Sequence, residues 1–198
     1  MTRGPNNLWL CLAVATTIGS GCASFRAGLL APTTDWPPPA AAKKKSISVA
    51  VSGTAVISGK ATDAPQQMID LWRQRTWAAY EESGLFSDVR TGLEATDLRA
   101  EIRIEDRGDP NIALAVLCGL TMTLIPVKAS DELTMRTVYK DAEGNTLASI
   151  EKAETVNTWI QMFLVFVMPA KFPSGVVKGV LTDLNRATIS AAQAQKVF

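Results

Sequence analysis

One stretch of strict alternation constrains the fold of this chain more than any other feature of its sequence. Apolar and charged residues alternate without exception through LRAEIRIE, residues 98–105. Successive side chains of a β-strand point to opposite faces of a sheet, so this pattern predicts a strand with one face in a core and the other in water. The fold must therefore contain a sheet that is covered on one face.

Weaker patterns place further elements around this strand. Alternation in SISVAVSG predicts a strand from Ser46, and a helix-spaced apolar stripe over residues 68–80 predicts a helix that ends near Gly84. Residues 133–139 and 147–156 flank a DAEGN turn and predict a hairpin, and a last helix is expected from Ser174, with a frayed tail from Ser190. The predicted fold class is α+β, an antiparallel sheet with helices packed on one face.

Two uncharged apolar runs stand out, residues 112–127 (IALAVLCGLTMTLIPV) and 159–170 (WIQMFLVFVMPA). Both fall short of the roughly 20 apolar residues that a spanning helix needs. If the strands near residues 98–105, 133–140 and 147–156 form an antiparallel meander, both runs lie at one end of the sheet. The runs are interpreted as buried core or, alternatively, as an apolar surface for a membrane or a partner. The residues expected to make that contact are Leu117, Leu120, Trp159, Phe163, Leu164 and Phe166.

The N-terminus has the three-part pattern of a secretory signal. Arg3 is followed by an apolar run over residues 8–18 and then by Gly19, Ser20 and Gly21, directly before Cys22. The string IGSGC resembles a lipobox, at which bacteria acylate a cysteine and cleave before it, although Gly19 occupies the position where leucine is usual. An uncleaved anchor helix and a plain cleaved signal remain alternatives. The resemblance implies lipid, such as palmitate, on Cys22.

The chain is accordingly divided into a signal peptide (residues 1–21), a Pro/Ala/Lys-rich tether (residues 22–45) and a single periplasmic α+β domain (residues 46–198). Where a lipobox is present, an aspartate after the cysteine favours retention in the inner membrane. Ala23 stands there instead, so the resemblance implies the outer membrane, facing the periplasm, rather than the inner membrane.

The composition argues against most enzymatic chemistry. The chain has no histidine, which removes the commonest general base and metal ligand, and its 20 basic and 19 acidic residues do not suggest a nucleic-acid partner. Cys118, the one cysteine beyond Cys22, is expected to be buried and inert. The acidic cluster in EDRGDPN is expected to be a polar turn rather than a Ca²⁺ site. No enzyme activity, cofactor or metal is predicted.

The segments GLFSDV, LTMTLIPV, DAEGN and TWIQMFLVFVMP follow one another in an order similar to that of small, largely uncharacterised bacterial lipoproteins, over about residues 46–185. That resemblance implies a location rather than an activity. The expected function is a lipid-anchored envelope lipoprotein that acts as a non-enzymatic interaction or accessory subunit for an envelope protein. The alternative is a periplasmic binding module for a small apolar ligand held between the two apolar runs.

Overall fold

The computed structural model describes residues 21–31, 33–40, 44–109, 112–121 and 123–198. The elements within these ranges are, in chain order, β1 (Gly21–Arg26), β2 (Ser46–Ile57), β3 (Lys60–Asp63), α1 (Gln66–Glu82), β4 (Asp88–Thr91), β5 (Leu98–Asp109), α2 (Ile112–Leu120), β6 (Val127–Asp141), β7 (Thr146–Gln161), a 3-10 turn (Met162–Phe166) and α3 (Pro173–Ala194). The predicted signal peptide lies outside the described residues, apart from Gly21.

The described strands form one mixed sheet in the order β1-β7-β6-β5-β2-β3, with β4 also paired to β2. The predicted meander is confirmed, because β5, β6 and β7 pair antiparallel in sequence order. The expectation of a wholly antiparallel sheet is wrong, since β2 runs parallel to both β4 and β5. The cause is α1, which carries the chain from β2 back to the starting end of the sheet, so that the next strand runs in the same direction.

The core forms between one side of the sheet and the buried faces of α1 and α3. The predicted stripe of α1 buries Trp72, Thr76, Ala79 and Tyr80, and the Tyr80 hydroxyl lies 2.7 Å from that of Tyr139 on β6. The apolar members of this stripe join the apolar half of the LRAEIRIE pattern and the buried apolar side chains of α3 in a single cluster. The alternation at β5 therefore correctly identified which side chains are buried.

The C-terminal tail is ordered, contrary to the expectation that it frays from Ser190. Helix α3 continues to Ala194, and Ile189 and Ala192 are fully buried. The final ring, Phe198, lies 4.9 Å from the ring of Phe86 and 5.7 Å from that of Tyr139. Phe198 therefore packs against the core, in a segment that the sequence suggested would fray.

The expectation that residues 22–45 form a free tether also differs from the structure. Residues 21–26 are strand β1, and Leu30 and Trp36 pack against the core. The backbone carbonyl of Pro39 accepts a hydrogen bond from Gln193 of α3, and the guanidinium of Arg186 lies 5.3 Å from the centre of the Trp36 ring. Proline favours extended backbone, but a leucine and a tryptophan in the same segment give it apolar surface to bury.

Candidate membrane-facing end

The strand registers bring three separate parts of the chain to one end of the sheet. Asp109, the last residue of β5, pairs with Ser130 of β6, and Val127 at the start of β6 pairs with Ile160 of β7. Helix α2, the 3-10 turn and the first residues of β1 therefore all extend from the same end. We call α2, residues 123–126 and residues 162–172 the apolar end.

Helix α2 exposes apolar side chains that a helix of this composition would normally bury. All nine residues of IALAVLCGL are apolar or glycine, yet Leu120 is 78% exposed and Leu117 is 40% exposed. Cys118 is buried, as the sequence predicted, and the helix packs mainly on β6. The interpretation of this run as buried core is therefore wrong for most of its described side chains.

The 3-10 turn presents a second apolar surface beside the first. Phe163 and Phe166 are 61% and 83% exposed, whereas Leu164 is half-buried where the turn packs on β1 and β7. Trp159, two residues before the end of β7, is 37% exposed. The structure thus brings all six predicted contact residues to one end of the molecule.

Sequence reasoning missed several members of this surface. Val116, Leu124, Ile125, Val167 and Phe172 are also exposed at the apolar end. Four of the five belong to the two uncharged runs, so the absence of charge was the signal that could have identified them. Phe172 lies just beyond the second run, where Pro173 begins α3.

Cys22 belongs to this end of the sheet as well. It is the second residue of β1, half-buried, and pairs with Ile160 of β7, one residue away from the point where β7 ends. Two positions further along the strand, the Ser24 hydroxyl lies 2.7 Å from the Thr158 hydroxyl, and the Ser24 backbone N–H donates to the carbonyl of Lys171. These bonds fix β1 against both β7 and the chain that follows the 3-10 turn.

A fully buried carboxylate, Glu154 of β7, holds the chain that follows β1. It accepts hydrogen bonds from the backbone N–H groups of Leu29, Leu30 and Thr155 at 3.0 to 3.2 Å, and it lies 3.4 Å from Arg26. Burial by itself would raise the pKa of this carboxyl, but the three N–H donors and Arg26 hold its pKa below the ordinary value. The alternating pattern of β7 places Glu154 on the face of the sheet that meets the core. A charged residue at such a position was the signal in the sequence that could have identified it.

The acidic cluster in EDRGDPN is not a turn, because β5 runs through it to Asp109. Glu105 and Arg107 lie on one face and form an ion pair at 2.7 Å, while Asp106 points to the other face. Asp106 lines a cleft of about 210 Å³ with Asp131, and burial together with the Asp131 charge raises the pKa of Asp106 to about 6. No group of three possible metal ligands occurs among the described residues.

Two shallow grooves lie on the polar face of the sheet. They measure about 560 and 530 Å³, and Arg103 and Arg136 line both. Neither groove is lined by residues of the apolar end, so these spaces do not correspond to the ligand pocket expected between the two apolar runs.

The described helices include none that is both long enough and apolar enough to cross a membrane.

No protein-family model matches the chain, and no curated protein matches it. The solved structures that are similar include two of PelC. A variant of the PelC dodecamer from Paraburkholderia phytofirmans shares 11% identity over 85% of this chain and 98% of that chain, with a TM-score of 0.33. A second PelC dodecamer structure from the same organism shares 11% identity over 84% and 97%, with a TM-score of 0.29. At these TM-scores the likeness carries no conclusion about activity or assembly.

Proposed function

We propose that this chain is a lipoprotein of the bacterial cell envelope, anchored through lipid on Cys22, that works as a non-enzymatic accessory subunit. The observation that carries the proposal is the position of Cys22, in the strand that begins at the apolar end. The residue with the lipobox-like context and the apolar end thus lie together. A lipid chain on Cys22 would leave the protein where the surface already favours a membrane.

The same arrangement orients the rest of the molecule. Strand β6 has 15 residues, so the hairpin turn at the far end of the sheet stands up to about 50 Å from the apolar end. The helices cover one face of the sheet, which leaves the polar face, with Arg103 and Arg136, free to meet a protein partner in the periplasm. Outer-membrane rather than inner-membrane placement is part of this proposal, because Ala23 follows the cysteine.

The proposal is tested by metabolic labelling of cells with an alkyne-bearing fatty acid. The parent chain is expected to take up the label, Cys22→Ser is expected to abolish it and release the protein from membranes, and Cys118→Ser is the matched control that keeps both. Undiminished label on Cys22→Ser would contradict the proposal.

The membrane that holds the chain is identified by separating inner from outer membranes. Recovery with the outer membrane is expected, and recovery with the inner membrane would contradict that part of the proposal. An Ala23→Asp sorting variant is unsuitable, because Ala23 is fully buried and an aspartate there would disturb the fold.

A further inference from the structure

We propose that the apolar end enters the lipid headgroup region of the membrane that carries Cys22, as a second and direct membrane contact. This inference rests on the proposed function, because it takes the anchor on Cys22 as its starting point. It adds that the folded domain itself touches lipid and stands end-on to the bilayer.

The first step is that α2 requires a cover. A helix that is apolar on every side is normally buried in a core or a membrane, yet Leu117 and Leu120 face solvent in the isolated chain. At 1.5 Å per residue its nine residues extend only about 14 Å, against a hydrocarbon core of about 30 Å. Helix α2 therefore suits the membrane interface rather than a crossing of the bilayer.

The second step is the absence of a spacer between the anchor and the sheet. Cys22 is already paired with Ile160, so lipid on Cys22 holds the ends of β1 and β7 within a few residues of the bilayer surface. The 3-10 turn, with Phe163 and Phe166, begins directly after β7. A domain on a free tether could turn this surface in any direction, whereas a domain anchored through its own edge strand cannot.

The third step is the charge around the apolar end. No acidic residue occurs between Asp109 and Asp131 or from residue 155 to 182, while Lys128, Lys171 and Lys178 lie within these stretches. Lys128 pairs in register with Trp159, and the Lys171 ammonium lies 6.0 Å from the ring centre of Phe25. Lysine and tryptophan beside an apolar surface match the interface between lipid tails and anionic headgroups.

The surface fits lipid better than it fits a second copy of the chain. Two copies joined through their apolar ends would turn these ends toward one another, and each Cys22 would then be held away from the bilayer its lipid must enter. Anchoring instead keeps the apolar end next to lipid at a very high effective concentration.

The experiment uses the full chain, purified in its acylated form and reconstituted in vesicles of phosphatidylethanolamine and phosphatidylglycerol. In a Cys118→Ser background, Leu120→Cys or Phe166→Cys carries an environment-sensitive dye. Leu147→Cys is the matched control, because Leu147 is an exposed leucine at the far end of β7. Circular dichroism checks that each labelled protein is folded.

Nitroxide-bearing lipids are expected to quench the dyes at positions 120 and 166 at least about threefold more than the dye at 147. Water-soluble iodide is expected to show the reverse order. Equal exposure of all three dyes to iodide, in protein that carries lipid on Cys22, would overturn this inference and leave the proposed function intact. Dye self-quenching between copies at 120 or 166, without quenching by lipid, would assign the surface to a second copy and overturn it too. A parent chain without fatty-acid label would overturn both proposals.

Discussion

Gly53 occupies the point in β2 where α1 packs on the sheet. A Cβ atom built on Gly53 would lie 2.2 Å from the backbone carbonyl oxygen of Ile104 and 2.5 Å from the ring of Trp72. The backbone of β5 cannot move away cheaply, because it is paired on both sides. A glycine in a strand usually marks a close approach of this kind, and here it allows the largest core side chain to lie against the sheet.

Gly53→Ala is expected to lower the free energy of unfolding by about 3 kcal/mol, since the extra methyl group forces either Trp72 or β5 to shift. Chemical denaturation followed by tryptophan fluorescence measures the change. Gly179→Ala is the matched control, because it meets open space within α3 and is expected to stabilise by up to about 1 kcal/mol. A loss below about 0.5 kcal/mol for Gly53→Ala would show that the packing against Trp72 is looser than described.

Asp106 carries a negative charge that the fold disfavours. Its pKa is raised from 3.8 to about 6 by burial and by Asp131, and its Oδ1 atom has no hydrogen-bond partner among the described residues. The folded protein therefore binds a proton at Asp106 more tightly than the unfolded chain does. The stability contributed by this proton is fully present below about pH 4 and is lost as the pH rises through about 6.

Asp106→Asn imitates the protonated form, so it is expected to raise the melting temperature at about pH 7.5 and to have little effect near pH 4. Thermal unfolding of both proteins at a series of pH values measures the difference. Asp70→Asn, on the exposed face of α1, controls for the general effect of removing a carboxylate. A difference that is constant with pH would contradict the raised pKa.

Glu154 behaves in the opposite way. Its pKa is held below the ordinary 4.5 by backbone donors and Arg26, despite the burial that would raise it, so its contribution is present at neutral pH and is lost as the pH falls through that lowered value. Glu154→Gln places an amide NH₂ opposite backbone N–H donors and is expected to cost about 2 to 3 kcal/mol. Residues 26–31 should then become the first sites of limited proteolysis.

Glu143→Gln provides the comparison for this test, since Glu143 is an exposed carboxylate in the turn that precedes the same strand. It should leave both stability and cleavage pattern within error of the parent. Unchanged protection of residues 26–31 in Glu154→Gln would mean that β1 is held by its strand pairing alone.

Among the elements, those with a strong period were predictable and those held by tertiary contacts were not. Strand β5 and helix α1 followed directly from alternation and from the stripe that ends at Tyr80. Strand β1 could not be predicted, because GCASFR has no alternation. It pairs with β7 because β7 extends to Gln161, five residues past its predicted end. Nor could the course of residues 27–40, which depends on Glu154 and on the surface of α3.

At the candidate site, the sequence predicted the position of the apolar runs but not their exposure. The meander alone placed both runs at one end of the sheet. Whether a side chain such as Leu120 is buried depends on what else reaches that end, and α1 and α3 cover the sheet without covering α2. The periodicity of a sequence predicts which face of a helix or strand is apolar. Whether that face is buried depends on the other elements that pack against it.

The two apolar segments of this end are expected to be close enough for a flexible bismaleimide to join them. In a Cys118→Ser background, the pair Leu117→Cys and Leu164→Cys should crosslink. Helix α2 leads into the start of β6, which pairs with the end of β7, and the 3-10 turn follows β7 directly. Leu117→Cys with Leu147→Cys, at opposite ends of the sheet, should not. Gel mobility and mass spectrometry report the link, and failure of the first pair in folded protein would contradict the shared end.

On the scale of the whole molecule, the sheet has an apolar end and a polar face, and on that polar face two arginines lie on neighbouring strands. Arg103 of β5 and Arg136 of β6 stand directly opposite one another, and both are exposed. On its other side, Arg136 stands opposite Glu151 of β7. Within the part of the chain that the structure describes, neither forms an ion pair with a carboxylate. Like charges opposite one another on adjacent strands destabilise a sheet, so the contact between Arg103 and Arg136 is itself unfavourable.

Arg103→Gln is therefore expected to increase the free energy of unfolding by about 0.2 to 1 kcal/mol at low ionic strength, because it removes the repulsion from Arg136. The gain should shrink as salt is added, since salt screens exposed charges over about 10 Å at 0.1 M. Arg107→Gln is the matched control on the same strand and should bring no gain, because Arg107 is paired with Glu105. A loss of stability in Arg103→Gln at every salt concentration would show that Arg103 stabilises the fold itself. A salt-sensitive gain would instead show that the charge of Arg103 does not stabilise the isolated chain.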